Sequence, residues 1–222
     1  MNESKSQSDK FDTAKVIAIT GGIGSGKSEV AKILIAKGYK VISTDILAKD
    51  IMITDEKVRE RIINTFGSDT YTSDNKTNVK FLSEIVFSGD KHQSANIEKL
   101  NSIVHPPVID RIVQEIENAV SAGFDTVFVE SALIYEAGLD DGFDYIICVA
   151  ADEIIRIERT IERSGLTRHQ IESRMSEQIS QEQKIGLADF TIENNKSLAE
   201  LENAVNFLLP IIQMLPQNLK EK

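Results

Sequence analysis

One cysteine among 222 residues rules out a disulfide framework within the monomer. That residue, Cys148, lies in the apolar run Tyr145-Ile146-Ile147-Cys148-Val149, the setting of a buried core thiol rather than a reactive one. Long hydrophobic runs are also missing. No stretch approaches the ~18 apolar residues of a membrane span, and Met1 to Lys15 is polar and charged without the apolar segment of a secretory leader. The expectation is a soluble, cytoplasmic protein with a flexible leader over residues 1–15, and no membrane partner. Basic charge is scarce: 25 Lys and Arg stand against 35 Asp and Glu, a net charge of −10. With a pI near 4.9, that balance argues against sequence-independent nucleic-acid binding and against anionic membranes. Anionic substrates must then meet locally concentrated cations. No repeat, low-complexity tract or Pro-rich linker divides the chain, so residues 16–222 read as one domain with an insertion, as a monomer or small homo-oligomer.

What is present is concentrated near the start. Gly21 to Ser28 reads G-G-I-G-S-G-K-S, a full match to the phosphate-loop pattern G-x-x-x-x-G-K-[ST], directly after the apolar run Val16 to Thr20. Glycines at Gly21, Gly22, Gly24 and Gly26, with Ser25 among them, let a backbone wrap round a polyphosphate and aim N–H groups inward. Lys27 brings a compact positive charge to the β and γ phosphates, and the Ser28 hydroxyl suits Mg²⁺. The segment from Glu29 to Lys37 has helix-forming composition, so its positive end faces the same anion. A nucleoside triphosphate follows as ligand; whether it is hydrolysed, used as a switch or used to phosphorylate an acceptor does not follow from the loop.

Five short apolar runs suit buried parallel strands: Val16 to Thr20, Lys40 to Ser43, Thr126 to Glu130, Tyr145 to Ala150 and Phe190 to Ile192. Helical patterns fill the intervals. Val58, Ile62 and Phe66 stop at Gly67, and Val108, Ile112, Ile116 and Val120 stop at Gly123. Ile171, Met175 and Ile179 follow a Thr167/Gln170 capping box, and Ser197 with Glu200 opens a last helix that Pro210 should kink or end. Strands alternating with helices imply an α/β fold, a five-stranded parallel sheet sandwiched by helices of the P-loop NTPase type. The interval from Ile46 to Asp125 shows no convincing strand and reads as a helical insertion, taken as about 46–105, beside the nucleotide.

Two further places carry chemistry. Asp45 ends the second strand run, so its carboxylate faces the phosphate loop across the cleft and can orient an incoming hydroxyl; the same position suits a helix N-cap, and spacing leaves both readings open. Arg156, Arg159, Arg163, Arg168 and Arg174 are five of the chain's eight arginines. Arg156, Arg159 and Arg163 project from one side of a helix, as a lid over about 153–185 would need to close on phosphates, although Glu158, Glu162 and Glu172 also permit a solvated, ion-paired helix.

The run Ile17 to Ser28, Asp45, His105-Pro106, Leu133-Ile134-Tyr135-Glu136, Arg159-x-x-x-Arg163, Arg174 with Gln178, and Ala188-Asp189 with Asn194 together resemble the dephospho-CoA kinase family. The resemblance extends from Val16 to about Asn195. It implies transfer of the γ phosphate of ATP to the ribose 3′-hydroxyl of dephospho-CoA, the last step of coenzyme A synthesis. Gly22, Gly24, Ser25, Gly26, Lys27, Ser28 and the backbone N–H of Glu29 would then hold ATP, with Ser28 on Mg²⁺. Asp45 would be the catalytic carboxylate, Lys27, Arg159 and Arg163 would stabilise the migrating phosphoryl, and the insertion with His105 would hold the acceptor; His105 can equally be a turn histidine before two prolines. Several positions depart from the family pattern: Glu29 where threonine is usual, Ser43-Thr44-Asp45 with one aspartate of two, Asn78-Val79-Lys80 in place of Asn-Arg, and Glu130-Ser131-Ala132-Leu133-Ile134-Tyr135-Glu136 for Asp-x-Pro-Leu-Leu-Phe-Glu. A nucleoside monophosphate kinase and a nucleotide-dependent switch or binding protein remain the alternatives; the neutral-hydroxyl chemistry of Asp45 weighs against the first and the arginine cluster against the second.

Overall fold

The computed structural model describes residues 14–88 and 91–217. Most of the expected leader, residues 1–13, lies outside them, but Ala14 is buried and Lys15 already opens the first strand. Five strands, β1 (Lys15–Thr20), β2 (Lys40–Ser43), β3 (Thr126–Glu130), β4 (Tyr145–Ala150) and β5 (Phe190–Glu193), form one sheet in the order β2-β3-β1-β4-β5. Every pairing is parallel. Because side chains alternate across a strand, the apolar runs supply two cores at once. Ala18, Val127, Val129 and Ile146 face one layer of helices, while Ile17, Ile19, Phe128, Ile147 and Val149 face the other. Phe128 is fully buried, and each such side chain contributes about 1.5–3 kcal/mol. Cys148 is buried in β4, and burial pushes its thiol up.

The second layer consists of α1 (Lys27–Ala36) and α9 (Leu198–Met214). The first layer is built by α2 (Thr44–Thr54), α3 (Glu56–Phe66) and α5 (Gln93–Ser121), with α4 (Val79–Val86) against α5. Three more helices, α6 (Glu153–Ser164), α7 (Arg168–Met175) and α8 (Gln181–Leu187), connect β4 to β5.

Three sequence expectations change. His105 is not in a turn: α5 continues for 29 residues through Pro106 and Pro107. Ser102 Oγ aside, its carbonyl, which Pro106 cannot serve as a donor, accepts from Arg61 Nη2 at 3.4 Å, and buried Ile103, Val104, Val108 and Ile112 hold the two halves against the sheet. Of the two outcomes expected at Pro210, a kink or an end, the end does not occur: α9 runs past it to Met214. Leu208, Leu209 and Ile212 anchor it, and Lys15 Nζ donates to the carbonyls of Ile212, Gln213 and Leu215 at 2.8, 2.8 and 2.9 Å, satisfying the helix end. Finally, α7 starts with the expected capping box but stops at Met175, so Ile179 lies beyond it.

Candidate active site

The loop between β1 and α1 brings backbone donors to the carboxyl end of the sheet. Ser25 N–H donates to Gly22 O and Glu29 N–H to Gly26 O, which leaves the N–H groups of Gly24, Gly26, Lys27 and Ser28 without a backbone partner among the described residues. Unpaired N–H groups at the positive end of a helix form an anion cradle. Gly24 and Gly26 adopt φ of +78° and +100°, and protein packing as well as ligand approach demands glycine there. A Cβ on Gly24 would strike the Arg156 carbonyl, and one on Gly26 the Asn194 amide. The Glu29 carboxylate turns away to Lys32, 2.7 Å distant.

Lys27 Nζ donates to the carbonyls of Gly21 and Gly22 at 2.8 and 3.0 Å. Burial pulls its ammonium down to about 8, against the opposing pull of the nearby Asp45 and Glu130 carboxylates. Ser28 Oγ donates to Glu130 Oε1 at 2.8 Å. Glu130 ends β3, beside both β1 and β2, and is 8% exposed. Sequence reasoning took it as a strand end and as the residue in place of the family's aspartate, without giving it a role; the available signal was that carboxylate closing a mostly apolar strand. Asp45 does not cap α2. The N-cap is Ser43, and Asp45 lies in the first turn, where a negative charge complements the helix dipole. Ser28, Asp45, Glu130 and Arg163 line one cleft of about 710 Å³.

The arginine row of α6 divides its work. Arg156 is buried with its guanidinium against Gly22, and its Nη1 donates to Gln181 Oε1 at 3.1 Å. Arg159 Nη1 donates to Asn194 O at 2.9 Å, while Asn194 Nδ2 donates to Ser25 O at 2.8 Å. Arg159 therefore braces the phosphate loop through Asn194, and Arg163 alone of the three lines the cleft with Asp45. Past α7, Gln178 Oε1 accepts from Ile23 N–H of the loop at 3.3 Å. Lys184, which the sequence reading did not single out, is fully buried; its Nζ pairs with Glu136 at 2.8 Å and donates to Ala132 O at 2.6 Å. Glu136 Oε1 also accepts from Ile179 N–H at 3.0 Å. The segment from α6 to α8 is thus tied to both the phosphate loop and the exit of β3.

On the other side of Asp45 is a largely apolar cavity of about 200 Å³, closed by Ala48, Met52, Val104, His105 and Leu133. Burial pushes the His105 imidazole below its usual value, so it is neutral at pH 7.

An all-parallel five-stranded sheet whose first strand feeds a G-x-x-x-x-G-K-S loop, with an arginine-bearing helical segment over that loop, defines a P-loop kinase. The family model for dephospho-CoA kinase matches residues 15–200. The dephospho-CoA kinase of Fusobacterium nucleatum subsp. nucleatum is 38% identical over 186 residues, 84% of this chain and 92% of that protein. That of Salinibacter ruber is 37% identical over 83% of this chain and 91% of that protein. Among solved structures, a Thermus thermophilus protein superposes with TM-score 0.73 at 31% identity, covering 90% of this chain and 98% of that one. The dephospho-CoA kinase of Campylobacter jejuni does so with TM-score 0.63 at 26% identity, over 89% and 96%. The chain belongs to the dephospho-CoA kinase family.

Proposed function

We propose that this chain transfers the γ phosphate of ATP in line to the ribose 3′-hydroxyl of dephospho-CoA, giving coenzyme A and ADP, in the cytoplasm. The observation that carries the reading is the meeting of Ser28, Asp45, Glu130 and Arg163 in one cleft at the carboxyl ends of β1, β2 and β3. The unpaired N–H groups of the loop and the Lys27 ammonium bind the triphosphate. Asp45 accepts a hydrogen bond from the acceptor hydroxyl, aligns its oxygen on phosphorus and takes the proton as the new bond forms. Lys27 and Arg163 offset charge on the equatorial oxygens, and Arg159 holds Asn194 and hence the loop in place.

Among the described residues no group of three His, Cys, Asp or Glu could hold a metal alone. Mg²⁺ does not need one, since it commonly takes one or two protein oxygens and completes its shell with phosphate and water. The Ser28 hydroxyl and the Glu130 carboxylate, already in contact, fit that role. When bound, the ion would neutralise phosphate charge.

The test is ADP release with Mg²⁺-ATP, comparing dephospho-CoA with adenosine, AMP, dTMP and no acceptor. ADP formed with dephospho-CoA, and a product that co-elutes with coenzyme A, are expected. Activity with AMP or dTMP instead would favour a nucleoside monophosphate kinase. Asp45→Asn should lower kcat by ~10²–10⁴ while ATP still binds; unchanged turnover would remove Asp45 from the chemistry.

A further inference from the structure

Dephospho-CoA branches at the reacting ribose. Adenine leaves from C1′, and a diphosphate carrying the pantetheine arm leaves from C5′. Asp45 lies where two cavities meet, and the two differ in chemistry. Helical spacing on α2 produces the division: Thr44, Ala48 and Met52 face the first cavity, and Ile46 and Lys49 face the second.

The first cavity is apolar but for Thr44, Asp45, Ser131 and two side chains one helical turn apart on α5, Asn101 and His105. Neither Asn101 nor His105 makes a side-chain hydrogen bond among the described residues. The second cavity is a groove along β2, the edge strand of the sheet, between α1 and α2. Four residues of β2 give it a run of about 13 Å. Its carboxylates are Asp45, shared with the first cavity, Glu130, which accepts from Ser28, and Glu115, which pairs with Lys40 at 3.2 Å; Lys49 and Arg163 line it with no ion-pair partner among the described residues, and Ile35 and Ile46 add exposed apolar surface.

We propose that the adenine of the acceptor occupies the apolar cavity and is read by Asn101 and His105, while its diphosphate and pantetheine arm leave along the β2 groove past Lys49. This binding mode rests on the dephospho-CoA reading. The reverse placement fails on electrostatics. The diphosphate follows directly on C5′, so it would enter an apolar cavity whose one charged group is the Asp45 carboxylate, and a buried, unpaired dianion is strongly disfavoured. An uncharged heteroaromatic ring carries no such penalty. The Asn101 amide supplies one donor and one acceptor, the pair that matches the ring nitrogen and amino group of adenine.

The experiment compares three acceptors, dephospho-CoA, its hypoxanthine analogue and adenosine, with wild type, Asn101→Leu and Lys49→Gln. Wild type should prefer dephospho-CoA over both analogues. Asn101→Leu should lower kcat/KM for dephospho-CoA by ~10- to 100-fold, chiefly through KM, and collapse the preference for adenine over hypoxanthine, with the preference over adenosine kept. Lys49→Gln should do the converse. Binding of a non-hydrolysable ATP analogue, unchanged in both variants, shows that each is folded. Base discrimination that survives Asn101→Leu, or a wild type indifferent to the base, overturns the binding mode. A wild type inactive on dephospho-CoA overturns the function reading instead, so the two failures are distinct.

Discussion

The role proposed for Lys27 makes the pH dependence of ATP capture predictable. Its ammonium is drawn down to about 8 chiefly by burial, and is held from falling further by Asp45 and Glu130. Only the protonated form attracts phosphate, and kcat/KM reports the free enzyme. With a pKa near 8, the charged fraction falls from about nine-tenths at pH 7 to about one-tenth at pH 9, so kcat/KM for ATP should drop about tenfold per pH unit above 8. The profile of kcat should break at higher pH, because bound triphosphate favours the charged lysine. Glu130→Gln removes one of the two carboxylates that raise the pKa, so its kcat/KM break should move below 8. Direct quantification of ADP by chromatography at saturating acceptor suits the alkaline range. Stability moves the other way. The folded-state pKa lies below the ordinary 10.5, so the cost of the buried charge is fully present below pH 8 and is relieved as pH rises towards 10.5. Lys27 therefore adds to stability over the window in which ATP capture falls, and thermal melting separates the two effects. A kcat/KM for ATP that stays constant through pH 9.5, or a Glu130→Gln break that moves upward, would refute the assignment of Lys27.

Glu130→Gln should also raise the Mg²⁺ needed for half-maximal turnover by ~10-fold, because the carboxylate that orients Ser28 loses its charge; an unchanged Mg²⁺ titration would remove it from the metal site. Lys184→Met leaves the Glu136 carboxylate, 15% exposed, without its partner and should destabilise by about 3–5 kcal/mol, with much of the loss restored by adding Glu136→Leu. Denaturant unfolding measures both, and a single variant as stable as wild type would show that the pair contributes little. Gly26→Ala combines a φ of +100° with collision against Asn194 and loss of the Asn194 to Ser25 bond, so it should lose about 2–3 kcal/mol. Gly38→Ala is its control, because φ is +89° there and a Cβ meets open space; equal losses at the two sites would mean that Asn194 plays no part.

Much of the candidate site was legible because it is local. Residues 16–28 are consecutive, and strand period, glycine spacing and the Lys-Ser pair together define a phosphate loop. The strand runs were legible for the same reason: four to six apolar residues between turn signals suit a strand buried on both faces. Proline was read by its local rule, which allowed a turn at Pro106 and a kink or an end at Pro210, whereas α5 and α9 both continue through their prolines. Each lost hydrogen bond is local, whereas what sustains the helices is burial of neighbouring side chains, with Arg61 serving the carbonyl that Pro106 leaves and Lys15 holding the end of α9, both far away in the chain. The arginine row was legible as a row but not in its division of labour, since each guanidinium is assigned by what packs opposite it.

The sequence by itself determined the elements and the chemistry each could carry, because near-neighbour sterics and hydrophobic periodicity act over a few residues. Partnership belonged to the tertiary structure. Glu130 meets Ser28 across 102 positions, Asn194 meets Ser25 across 169, and Lys184 meets Ala132 across 52. Those contacts depend on the strand order β2-β3-β1-β4-β5, and no local period encodes which strand lies beside which. The same order places β3 between β1 and β2, which sets Glu130 between the phosphate loop and Asp45 and completes the cleft.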